Sequence, residues 1–397
     1  MSSRNRSRVI DPGRDSAANP GGVRGMEPDQ RCRRRSRLLL VCLGALLGCG
    51  DDPAQPGGTV FVPTEPMLLS GGSPTKDEDP SLLHARDGTL FVAWFSDRGA
   101  NADIYVTSTA NGTEWSAPVR VTQSPEADFH PSLFQADDGS FHLVWFRWHA
   151  FQRGHIWYNT SADGRSWNPA NEQQVTDVAD VDDWVPTITQ SPGGALWTTF
   201  VSEVRDTTNS TSEIYAAAKR SGQSDWDAAV PLSTVNSAVA HDHLPFLMRT
   251  GDTMTLVWTR HESAEQLPWL NPRTDVYYST SADGADWEPA KPVTPAGGAG
   301  VNLFPSLYPN LDGVWSLVWL STRSESLAVW DLPLTAFDDA PTAAVENTLL
   351  PDGYSHRIAP TSTPGVFLAA WVQGPEGAQD IYYRYFRPPT IARESRP

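Results

Sequence analysis

A short unit recurs six times along the 397-residue chain, and nothing else in the sequence narrows the fold as much. Each unit opens on a proline within an apolar segment: "DPSLLHA" at Pro80, "HPSLFQA" at Pro131, "VPTITQS" at Pro186, "LPFLMRT" at Pro245, "FPSLYPN" at Pro305 and "APTSTPG" at Pro360. The intervals are 51, 55, 59, 60 and 55 residues. A second apolar segment ends on an aromatic residue, at Trp94, Trp145, Phe200, Trp258, Trp319 and Trp371. A third carries "DIY", "HIWY", "EIY", "DVYY", a weaker "LAVW" and "DIYY", and a fourth is short, as in "PVRVT". Four short strands at this period predict an all-β chain, a six-bladed β-propeller of four-stranded antiparallel blades. Each twisted sheet then covers the faces of its neighbours. The 33 prolines and 16 tryptophans, with no long helical periodicity, agree with this.

The sixth unit stops after "DIYYRYF" with no fourth strand, while "EPMLLS" (65–70) precedes the first unit and has the character of one. Met67–Ser70 is therefore expected to complete the last blade by pairing with Ile381–Phe386, which removes two sheet edges. On this reading the propeller spans 65–388, after a linker over 49–64 and before a tail over 389–397.

The turn between the third and fourth strands is nearly identical in two units, "TSADGRSW" (160–167) and "TSADGADW" (280–287). Gly164 and Gly284 allow the positive φ of a tight turn, and Asp163 and Asp283 can accept hydrogen bonds from its amides. Related forms surround Trp115 and Trp226. These turns, and the segment 94–122 as a whole, resemble the Asp-box (bacterial neuraminidase) repeat of the sialidase superfamily. The resemblance covers about residues 65–387 and implies a six-bladed propeller. It implies little about activity, because in that family the Asp box is a structural turn on the face away from the active site.

Sialidase chemistry, as the resemblance implies it, needs three arginines on the substrate carboxylate, an aspartate acid/base, and a tyrosine nucleophile activated by a glutamate. The family's first arginine lies in an "R-I-P" stretch of the first blade, where this chain reads "DEDPSL". The nearest echo is "HRIAP" (356–360), in the last unit. Arg357, and Tyr354 with Glu203 as its activator, are the candidates this comparison supplies.

Position in the repeat supplies others. The loop entering strand one and the loop from strand two to strand three share the face around the central channel. Three residues before each proline stand Asp77, Asp128, Asp183, Asp242, Asn302 and Arg357. Two readings of this column stay open. Each Asp caps the turn entering its strand, or the column forms a ring of carboxylates that holds Ca²⁺ or supplies acid/base groups. Asp128, Asp183 and Asp242 are then catalytic candidates beside Arg357 and Tyr354. Asp77, Arg98, Arg147, Trp148, Trp184, Arg260 and His243 are ligand-binding candidates, because arginine forks grip carboxylates and aromatic rings stack on sugars. Trp269, Arg205 and Arg323 fall in the same loops.

The N-terminal region reads differently. "RCRRRSRLLLVCLGALLGCG" (31–50) joins a basic stretch to an apolar run too short to span a bilayer, as a secretory leader does. "LLGC" (46–49) resembles the bacterial lipobox, which implies a signal peptide over 26–48, lipid on Cys49 and a place on the cell envelope, outer membrane or cell surface. Residues 1–25 read as a mis-assigned start ahead of Met26. All three cysteines (Cys32, Cys42, Cys49) lie in this region, so the propeller works without thiol chemistry. Ten of the 30 basic and four of the 47 acidic residues lie in 1–48, leaving 20 against 43 and a net charge of −23. Such a domain repels phosphate backbones, and nucleic acid is not an expected partner.

The sequence thus points to an envelope lipoprotein whose propeller recognises a glycan or an envelope protein at the channel face without cleaving it. The alternative is an exo-glycosidase of sialidase type or another glycan-cleaving enzyme. An enzyme requires two carboxylates, or Tyr with Glu, facing three converging arginines; a recognition module requires a broad aromatic-lined face.

Overall fold

In a computed structural model the chain forms six four-stranded antiparallel sheets arranged as the blades of a propeller. The structure describes residues 64–387 apart from 73–74, 150–153, 179–180, 204–211, 262–272, 295–299, 310–313, 323–327, 334–343, 349 and 351–352. The leader, Cys49, the linker as far as residue 63 and the tail lie outside the described residues, as do Arg205, Trp269 and Arg323.

The innermost strands are Asp77–His84, Ala127–Gln135, Asp182–Gln190, His241–Thr250, Asn302–Pro309 and Tyr354–Pro360. The second strand of each blade is buried along nearly its whole length, because neighbouring blades cover both of its faces. Its aromatic residue sits in that layer: Trp94, Trp145, Phe200, Trp258, Trp319 and Trp371 are at most 2% exposed. Burying one such ring contributes roughly 2–3 kcal/mol. The outermost strands are two residues long, which leaves little free edge for another chain to pair with.

Closure occurs as expected. Met67 and Leu68 pair with Tyr383 and Tyr382, and the Leu69 amide continues the ladder to the Ile381 carbonyl at 2.8 Å.

The prolines mark something other than a strand start. In every blade the ladder between strands one and two breaks by a bulge, at 79–80, 130–131, 185–186, 244–245, 304–305 and 355–356. The first bulge residue adopts a left-handed φ in each case: Asp79, His130, Val185, Leu244, Phe304 and Ser355, all between 51° and 56°. In five blades the second is the proline, which needs no ladder donor at that point. In blade six it is His356, and Pro360 instead ends the strand opposite Phe367. Aligning the sixth unit on Pro360 therefore misplaces it by four residues. Gly353, not Arg357, stands where the other blades carry Asp or Asn.

The "SADG" turn lies at the opposite end of the blades. Asp163 Oδ1 accepts the Arg165 and Ser166 amides at 2.8 and 2.7 Å, and Asp283 Oδ1 accepts those of Ala285 and Asp286. The indoles of Trp167 and Trp287 donate back to the Gly164 and Gly284 carbonyls. A Cβ on Gly284 (φ 91°) would come within 2.5 Å of the Trp197 indole in the preceding blade. Gly284→Ala should thus combine left-handed strain with overpacking and lower stability by about 2–5 kcal/mol. Urea unfolding checks this, and an unchanged midpoint would refute it.

Candidate functional site

The aspartate column is buried. Asp77, Asp128, Asp183 and Asp242 have no exposed surface. Each sits two residues before its bulge, where the ladder is about to fail. The indole N–H groups of Trp94, Trp145 and Trp258 donate to Asp77, Asp128 and Asp242 at 3.2, 3.0 and 2.7 Å, and Trp319 donates to Asn302 at 3.1 Å. Blade six has no such carboxylate. A Cβ on Gly353 would lie 2.5 Å from Trp371, whose indole N–H turns to Gln373 instead.

Three arginines complete these clusters. Arg98 donates to both oxygens of Asp77 and to the Ser70 carbonyl. Arg147 and Arg260 make two-point contacts with Asp128 and Asp242, each with its Nε at 2.7 Å. Each guanidinium also lies over a ring of its own blade, Tyr105, Trp157 and Tyr277, at 4.8, 4.4 and 4.3 Å from the centroid. Burial pushes the Asp128 carboxyl up to about 6 against the pull of Arg147. The three arginines therefore hold carboxylates in blades one, two and four and do not converge.

The remaining candidates are dispersed. Trp148 stands 45% exposed on blade two. Trp184 packs edge-on against His243, at 5.7 Å between centroids. Burial, reinforced by His241 and His261, pushes His243 down to about 3, so it is neutral at ordinary pH. Tyr354 does meet a glutamate, but Glu78 across the closure (2.6 Å) and not Glu203, whose Oε1 takes the Ser212 hydroxyl. Burial and the Glu78 carboxylate hold the Tyr354 phenol far above its ordinary range. Among the described residues no group of three or more His, Cys, Asp or Glu side chains is placed to hold a metal ion.

Of the sequence candidates among the described residues, only Arg357 lines the mouth of the channel. The mouth is formed by the left-handed bulge residues, none of which is among the site candidates drawn from the sequence. They divide into two halves. Asp79, His130 and Ser355 are polar; Val185, Leu244 and Phe304 are apolar. His130 Nδ1 lies 2.6 Å from Asp79 Oδ2. Burial alone would lower the His130 value, but the charge and hydrogen bond of Asp79 outweigh it and raise the imidazole above 6.5. Burial would likewise raise Asp79, and His130, with Arg357 and Lys76, holds it below 3.8. The signal that could have found this ring is positional: in five blades it is the residue directly ahead of the proline, and in blade six it is Ser355, ahead of His356.

The mouth measures about 60 Å³. That is the share of roughly two waters, too little for a bulky group to enter whole.

No protein-family model and no curated protein sequence matches the chain. Solved structures do match in fold. An α-L-arabinanase from Penicillium chrysogenum, solved with arabinobiose, matches at a TM-score of 0.65 with 11% identity over 82% of this chain and 99% of that one. An α-L-arabinofuranosidase from Fusarium graminearum matches at 0.63 with 14% identity, over 82% and 98%. A Hadza microbial sialidase matches at 0.55 with 10% identity, over 78% of this chain and 65% of that one. The chain is a six-bladed propeller similar in fold to glycoside hydrolases.

Two outcomes follow. Arg147→Met should leave Asp128 as an unpaired buried charge and lower stability by about 3–5 kcal/mol in urea unfolding; a loss under 1 kcal/mol would show that the pair does not hold the blade. The Asp79–His130 pair should be pH-dependent from both sides. His130 contributes fully below 6.5 and progressively less as pH rises through its raised value, while Asp79 contributes fully above 3.8 and less as pH falls through its lowered one. NMR titration should place His130 above 6.5, and Asp79→Asn should bring it below; a value unmoved by that substitution would refute the pairing.

Proposed function

We propose that this propeller is a recognition module that binds a glycan over the mouth of its channel without cleaving it. The observation that carries this reading is the fate of the arginines: Arg98, Arg147 and Arg260 are each held by a buried carboxylate of their own blade. The ring of bulge residues is what remains at the centre. Its apolar half suits the C–H face of a sugar and its polar half suits hydroxyl groups, with Phe304 offering a stacking surface. The fold neighbours solved with arabinobiose support a saccharide as the ligand class. Lipid on Cys49 would hold the module on the bacterial envelope, outer membrane or cell surface, where a glycan or a neighbouring envelope protein is the partner within reach. Ca²⁺ would enter as an accessory to that binding.

A second reading, glycoside hydrolysis, is favoured by one specific contact. Tyr354 and Glu78 share a 2.6 Å hydrogen bond, the pairing a tyrosine nucleophile needs. Neither residue lines the mouth, however.

The test is a panel of arabino-oligosaccharides, sialosides and other glycans, scored for binding and for release of sugar, with and without Ca²⁺. Saturable binding that weakens at least tenfold in Asp79→Ala and Phe304→Ala, without turnover, is expected. Sugar release that stops in Tyr354→Phe would overturn the proposal in favour of hydrolysis. In the same preparations Cys49→Ser should move the protein out of the membrane fraction, and retention there would sink the lipid anchor.

A further inference from the structure

Below the mouth, each inner strand contributes the residue after its bulge to a second layer of the channel: Ser81, Ser132, Thr187, Phe246, Ser306 and Arg357. Three of the hydroxyls lace the ring, with Ser81, Ser132 and Thr187 accepting the Leu133, Ile188 and Leu247 amides of the following blades. The lacing stops there. Phe246 has no hydroxyl to offer, and Ser306, 1% exposed, leaves its Oγ with no hydrogen-bond partner among the described residues.

Arg357 occupies the sixth place. Its guanidinium lies 5.3 Å from the centroid of the Phe246 ring, two blades away, and donates one hydrogen bond, to the His356 carbonyl at 3.0 Å. Its nearest countercharge, Asp79, is already paired with His130. Burial accordingly weakens its hold on the proton, to about 10. A guanidinium has five donors, and most of these have no protein acceptor among the described residues.

From this layer onward along the inner strands lies a chamber of about 200 Å³. Its walls include Leu83, Phe134, Met248 and Trp315, all only partly buried. At its other end Arg249 is satisfied: it meets Asp137 of blade two at 3.0 Å and the Gly251 carbonyl at 3.0 Å. The chamber therefore has apolar walls, one end whose charge is paired, and one end with an under-used guanidinium beside an unpartnered buried hydroxyl. At interior packing density it holds about eight non-hydrogen atoms.

We propose that this chamber is a second ligand site, below the mouth and bounded from it by Arg357, that takes a small amphiphilic carboxylate. The head group lies on the Arg357 guanidinium and the Ser306 hydroxyl, and the tail lies among Leu83, Phe134, Met248 and Trp315. A charged guanidinium facing an apolar space gains more from a carboxylate than from water, because the low-polarity walls strengthen the pairing. Neutral ligands of the same shape gain only the apolar part.

The experiment compares hexanoate with 1-hexanol by calorimetric titration of the protein without its leader. Hexanoate should bind at least tenfold tighter than hexanol. Arg357→Met should erase that preference while retaining hexanol binding, and Arg357→Lys should keep part of it. Met248→Trp, which fills the chamber, should remove both ligands and leave saccharide binding at the mouth unchanged; Leu83→Phe serves if that variant does not fold. Equal affinity for the two probes, a preference that survives Arg357→Met, or no saturable binding of either would overturn the proposal.

Discussion

In blades one, two and four a buried carboxylate pins the inner strand where the backbone ladder gives way. A bulge with a left-handed residue costs of the order of 1–3 kcal/mol, and for Val185 the strain is sharpest because its side chain branches at Cβ. Two positions upstream, Asp77, Asp128 and Asp242 each take an indole N–H from strand two and a guanidinium from the same blade. The strand is thereby held by side chains just before its main-chain bonds lapse. The bulge then turns one side chain of every blade toward the axis, and these six side chains are the mouth of the channel.

The same economy decides what is left for chemistry. Arginines that could have gripped a ligand are spent within blades one, two and four, each lying over an aromatic ring of its own blade. Blade six escapes the pattern. With Gly353 in place of the carboxylate and His356 in place of the proline, it has no buried anion to claim an arginine, and Arg357 faces the channel. This irregular repeat is what places a guanidinium in the bore.

Much of the architecture was legible in the sequence because it is periodic. The four-strand unit, the aromatic layer and the closing strand all follow from spacing and from a missing segment. What was not legible depends on partners far apart in sequence. The column of aspartates is visible, but that Trp94 or Trp145 supplies a hydrogen bond as well as bulk cannot be read from an aromatic residue seventeen positions downstream. Glu78 and Tyr354 meet only because the ring closes, 276 residues apart in the chain. The slip in blade six has a local cause: with His356 at the bulge, the next proline attracts the alignment and shifts Arg357 into a column it does not occupy.

The closing strand changes how the molecule can assemble. Ser70 and Asp380, 310 residues apart, share a hydrogen bond in the sheet that joins the two ends of the propeller. In an open array of repeats, stability is close to a sum of nearest-neighbour terms and folding can spread from any point. Here five blades can form and still leave two bare edges until the final strand arrives. Contacts of such long sequence separation form slowly. The clasp thus couples the two ends of the repeat array, so that the last sheet is complete only when residues 310 positions apart have met.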